Sequence, residues 1–169
     1  MKHTKAFACL VGAAALAMGL TACGNNGAQQ AAVAGLEQLF QVTQQDYQDF
    51  MQQVSPAEPS QEPGLESQQG LEEYIAAEYA GIMTQQGYEQ AAENRIITKI
   101  MKAAQEQGED FTNVKVELEE RSGETEGEQY NYTVTLSAGQ STLTATGAVV
   151  VVQQDGSWKM DAITLNGLE

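Results

Sequence analysis

Near Gly108 the hydrophobic period of this chain changes from 3.6 residues to two, and it changes once. Upstream, Leu71, Tyr74, Ile75, Tyr79 and Ile82 share one helical face. Thr84 is placed to cap a short helix carrying Tyr88 and Ala92. Ile96, Ile97, Ile100, Met101 and Ala104 form a further stripe, which Gly108 should stop. Downstream, Val114, Val116 and Leu118 alternate with Lys115, Glu117 and Glu119, and Tyr130, Tyr132, Val134 and Leu136 alternate with Asn131, Thr133 and Thr135. Residues 143–152 are rich in Thr and Val, and residues 157–165 hold Trp158, Met160, Ile163 and Leu165. Between these runs stand Ser122-Gly123, Ala138-Gly139 and Asp155-Gly156, which suit hairpin turns. A run of helices followed by sequential strands with short turns is an α+β layout, with N-terminal helices packed on one face of a four-stranded antiparallel meander.

The remaining chain divides by composition. Leu36, Leu39, Phe40, Tyr47, Phe50, Met51 and Val54 make one apolar stripe, which predicts an amphipathic helix over 35–54. It should end before Pro56, because a proline pushes the preceding residue out of the α region. All three prolines fall in 55–70, marking a linker between that helix and an α+β domain over 71–169. Residues 23–34 are small and polar and are expected to form a flexible tether.

Lys2 and Lys5 precede fifteen residues, Ala6 to Leu20, without a charge or strongly polar side chain. That suits a signal peptide and falls short of the ~20 residues that span a bilayer. The run ends in Leu20-Thr21-Ala22-Cys23. Here the chain resembles the bacterial lipoproteins, whose signals end in a small-residue box directly before a cysteine. The resemblance implies residues 1–22 as a signal peptide, cleavage between Ala22 and Cys23, and acylation of Cys23 with diacylglyceryl and palmitate-type chains. It also implies a place on the outer side of the cell membrane, at the cell surface or in the periplasm. Two or three acyl chains anchor durably, since each buried CH₂ is worth ~0.8 kcal/mol. Cys9 would leave with the signal, so Cys23 would have no partner for an intrachain disulfide.

Charge and residue types exclude several functions. With 8 Lys+Arg against 23 Asp+Glu the net charge is −15, so nucleic acid is not an expected partner. The acidic body should be repelled by anionic lipid and stand off the membrane surface, touching it only through the lipid on Cys23. The one histidine, His3, lies in the signal segment, which removes imidazole from catalysis and from metal ligation. Gly123, Gly127 and Gly139 sit in turns with no following helix, so no phosphate loop is expected. No cofactor or metal is expected.

Carboxylates and aromatics remain. Glu117, Glu119, Glu120, Glu124, Glu126 and Glu128 crowd the first hairpin in a spacing that matches no calcium loop and reads as a solvated face. Glu78, beside Tyr74 and Tyr79, would be a general base if desolvated, or a partner of Arg95. Tyr88, Tyr130, Tyr132 and Trp158 either line a small-molecule pocket between helices and sheet or simply fill the core. In element order, residues 70–167 resemble the NTF2-like and cystatin-like superfamily. That resemblance implies a curved sheet wrapped on helices, often around a cone-shaped pocket. The leading expectation is a membrane-anchored, non-catalytic binding or interaction module for a small ligand or a protein. The alternatives are an NTF2-like enzyme using carboxylate or tyrosine acid–base chemistry, and a passive envelope accessory protein.

Overall fold

A computed structural model of the chain describes residues 26–54, 68–122 and 126–169. The signal segment, Cys23, residues 55–67, Gly123 and Glu124 lie outside the described residues. Five helices precede four strands: α1 (Asn26–Phe40), α2 (Gln44–Val54), α3 (Gln68–Tyr79), α4 (Gln85–Glu93), α5 (Ile96–Gln107), β1 (Phe111–Glu120), β2 (Glu128–Ala138), β3 (Ser141–Gln154) and β4 (Ser157–Leu168). The strands form an antiparallel meander in the order β1-β2-β3-β4.

The alternation in the strands sorts their two faces. Tyr130, Tyr132, Val134 and Leu136 of β2, Ala145, Val149 and Val151 of β3, and Met160 and Ile163 of β4 are buried on the helix-covered face. Lys115, Glu117, Glu119, Asn131, Thr144 and Thr146 are exposed on the other, as expected of an antiparallel sheet with one wet side. Bulges interrupt β1 between Thr112 and Lys115, where Asn113 takes φ 51°, and β3–β4 at two places. Such bulges bend and twist a sheet around what packs on it.

The short helices are set by local chemistry. Thr84 caps α4: its hydroxyl accepts from Gly87 N–H at 3.0 Å and donates to Asp161 Oδ1 at 2.6 Å, tying the helix start to β4. Residues 82–84 run beside β4, with Thr84 N–H donating to Met160 O at 2.9 Å and Met160 N–H to Ile82 O at 2.8 Å. That bridge covers part of an otherwise open sheet edge. Gly108 ends α5 in the left-handed conformation, φ 67°. Asp155 and Gly156, both at positive φ, make the β3–β4 turn a primed type whose twist matches the strands.

Two expectations about the N-terminal part need correction. The stripe expected as one helix over 35–54 is two helices, broken at residues 41–43. Thr43 and Asp46 form a capping box: Asp46 Oδ2 accepts from Thr43 N–H at 2.7 Å, and Thr43 Oγ1 accepts from Asp46 N–H at 3.1 Å. The second concerns the tether. α1 starts at Asn26, inside the stretch expected to be flexible, and Ala28 and Ala32 are fully buried. Their small side chains allow close approach of the helix, which touches all four strands. Leu36, Leu39 and Phe40 belong to the same core as Ile75, Ile97 and Phe111. The folded body therefore includes α1 and α2 and does not begin at residue 71.

Candidate functional site

The four aromatic residues singled out by the sequence do different things. Tyr130 and Tyr132 are 1% and 2% exposed, inside the core, while Tyr88 and Trp158 are half-buried against its edge. The ring of Tyr132 meets that of Phe40 edge-on, with centroids 6.2 Å apart, and its hydroxyl donates to Thr164 O at 2.8 Å. Tyr130 sits between Glu120 and Val149 across the sheet, and its buried hydroxyl finds no partner. Burial, then the charges of Glu128 and Glu120, raises the pKa of that phenol.

These contrasting hydroxyls make a paired test. Tyr130→Phe removes an unsatisfied polar group and is expected to leave stability unchanged or raise it by up to about 1 kcal/mol. Tyr132→Phe removes a made hydrogen bond and should cost about 1 kcal/mol. Urea unfolding of both variants beside the parent decides the sign.

A cleft lies elsewhere, between the end of α1, the start of α2, the second half of α3 and α5. Its volume is about 150 Å³, and Gln38, Gln41, Val42, Asp46, Tyr74, Glu78, Tyr79 and Met101 line it. Three of these come from α3 at spacings of four and five residues, which places Tyr74, Glu78 and Tyr79 together on the helix surface. Asp46 is held by its capping role, with one carboxylate oxygen engaged by Thr43. Gln38 Nε2 donates to Glu78 O at 3.4 Å and joins α1 to α3 at the rim.

The two tyrosines decide the character of the cleft. Tyr74 is 5% and Tyr79 6% exposed. Tyr74 packs edge-on against Phe50, ring centroids 5.1 Å apart. Burial, followed by the negative charge of Glu78, Asp46 and Asp49, pushes the Tyr74 phenol up to about 12. Burial, followed by Tyr74, Glu78 and Asp46, pushes that of Tyr79 higher still. Both phenols are therefore protonated at neutral pH and stand in the field of two carboxylates. No Lys or Arg is among the residues that line the cleft.

The carboxylates outside the cleft are less organised. Glu117, Glu119, Glu120 and Glu126 are exposed and Glu128 is half-buried. Among the described residues no three acidic side chains converge as a metal cradle requires. Glu78 is exposed, without the desolvation that a general base at this position needs, and Arg95 is exposed in a left-handed conformation at the start of α5. Comparison of the chain with protein-family models, with curated proteins and with solved structures finds no match. Among the described residues no helix is long and apolar enough to cross a membrane.

Sequence reasoning placed Tyr74 and Tyr79 in an apolar stripe and passed over Asp46. Two signals were available. Tyrosine occupies stripe positions where leucine would pack without a polar group, and Thr43-Gln44-Gln45-Asp46 has the spacing of a capping box.

Proposed function

We propose that this chain is an extracytoplasmic lipoprotein, held in the membrane by lipid on Cys23, whose folded body is a non-catalytic binding module. The cleft beside Tyr74 and Tyr79 takes its ligand, a small cationic amine or the aminoalkyl tip of a larger molecule. The observation that carries this reading is that two buried tyrosines share the cleft with Asp46 and Glu78, with no cation among the lining residues. An ammonium group brings positive charge and three N–H donors, which match carboxylate and phenol oxygens as acceptors. At about 150 Å³ the cleft is below the ~300 Å³ at which drug-sized pockets begin, so the group it encloses is small. Phenols with raised pKa values are poor proton donors at neutral pH, which favours binding over acid–base catalysis.

The test is a titration of the unlipidated Cys23→Ala chain with n-butylammonium, n-butanol and n-butyrate, followed through the tyrosine ring resonances. Expected are saturable shifts of the Tyr74 and Tyr79 signals with the amine alone, weaker at high salt. Glu78→Gln should weaken that binding several-fold. Equal shifts with butanol, or none with the amine at millimolar concentration, would sink the proposal.

A further inference from the structure

We infer that the folded body lies against the bilayer that anchors it, with the β3–β4 hairpin end of the sheet turned toward the lipid. The inference rests on the lipoprotein reading above and goes beyond it, because lipidation alone leaves the distance and orientation of the body open.

Distance follows from covalent reach. Cys23 precedes Asn26, the first residue of α1, by three residues, and three residues span at most about 11 Å whatever their conformation. Ala28 and Ala32 are fully buried, so the first turns of α1 are fixed in the body and do not lengthen the link. A lipid on the Cys23 sulfur must enter the bilayer, so the start of α1 is held within about that distance of the headgroups.

Orientation follows from the path of α1. Two-thirds of the way along it, Gly35 lies against the Met160 side chain, so close that a Cβ there would stand 2.9 Å from Cε. Just past its end, Val42 O accepts from Phe111 N–H at 2.7 Å. Met160 pairs with Val151, near the Asp155-Gly156 turn, whereas Phe111 pairs with Ala138, beside the Gly139 turn. α1 therefore runs from the β3–β4 hairpin end of the sheet toward the β2–β3 turn. Nine residues precede Gly35 in the helix and carry its start about 13 Å further back, away from the β2–β3 turn. The two turns flank β3, whose 14 residues measure roughly 45 Å of strand. One end of the sheet is thus near the lipid and the other far from it. The near end carries Glu120, Glu126, Glu128 and Asp155. Its closeness is imposed by the short link against its charge, not drawn by attraction.

The experiment uses the full lipidated chain, in which acylation of Cys23 leaves an introduced cysteine as the single free thiol. Gln154→Cys, beside the β3–β4 turn, and Gln140→Cys, beside the β2–β3 turn, are both at exposed positions. Each is labelled with a fluorophore and placed in phosphatidylcholine vesicles containing a headgroup-quencher lipid. The expected result is quenching several-fold stronger at position 154 than at 140, with the difference abolished by a flexible insert of about twenty residues after Gly24. Equal quenching in the uninserted protein, or stronger quenching at 140, overturns the orientation and leaves the anchor standing. If neither labelled protein associates with vesicles, the anchor itself fails and the orientation with it.

Discussion

Gly147→Ala is expected to cost this protein upwards of about 3 kcal/mol, a large share of the 5–15 kcal/mol by which domains are usually stable. Gly147 lies in the interior of β3, directly opposite Tyr132 on one side and Leu165 on the other. A Cβ there would meet Thr164 O and would stand 2.6 Å from the Tyr132 hydroxyl. The first of these is backbone of a paired strand and has nowhere to go. The second already donates to that same Thr164 O, so moving it also breaks a buried hydrogen bond. The contrast is Gly167→Ala in β4, where a Cβ meets nothing within 4 Å, and a change within about 1 kcal/mol is expected. Thermal and urea unfolding of the two variants measure the difference. Equal stability would mean that β3 and β4 do not meet around Gly147 in this way.

That glycine shows what a sequence of this kind conceals. In residues 143–152 it reads as a weak point in a strand rich in Thr and Val. Its reason comes from Tyr132 and Thr164, which reach it only through the register of three strands. The elements themselves were far more legible, because each carries its own signal. The switch of period near Gly108, the Thr84 cap, the left-handed Gly108 and the Asp155-Gly156 turn all appear where their local chemistry puts them. What failed at the N-terminus was size. Ala28 and Ala32 present no large apolar group, so a helix that packs by close approach looks like a tether. The break between α1 and α2 was visible in the Thr43–Asp46 box but was masked by an apolar stripe that continues through it in phase.

The candidate site was legible in part. Periodicity put the buried Tyr74, Tyr79, Tyr130 and Tyr132 on apolar faces, but also the half-buried Tyr47 and Tyr88, and burial alone does not say which hydroxyls find a partner. Tyr132 finds one 32 residues away in Thr164, Tyr130 finds none inside the core, and Tyr74 and Tyr79 line a cleft beside two carboxylates. Those differences are settled by how α1, α2 and α3 meet, which no local pattern encodes. The proposed cation site thus draws on tyrosines whose sequence signature is that of ordinary core.

Cys23→Ala carries the other large expected effect, and it is all or none. The sulfur is the attachment point for diacylglycerol in the lipoprotein reading, and serine or alanine offers no thioether. A single acyl chain gives only marginal membrane binding, and two or three make release negligible on a cellular timescale. Losing all of them should move the protein wholly from the membrane to the soluble fraction. Cys23 lies three residues before α1, so the fold and the cleft beside Tyr74 and Tyr79 should survive the change. The most direct measurement is metabolic labelling of the full chain and of Cys23→Ala with an alkynyl fatty acid, each followed by membrane fractionation. Label on the parent alone, with the variant soluble and folded, is the result this account requires; a variant that keeps its label or stays with the membrane contradicts it.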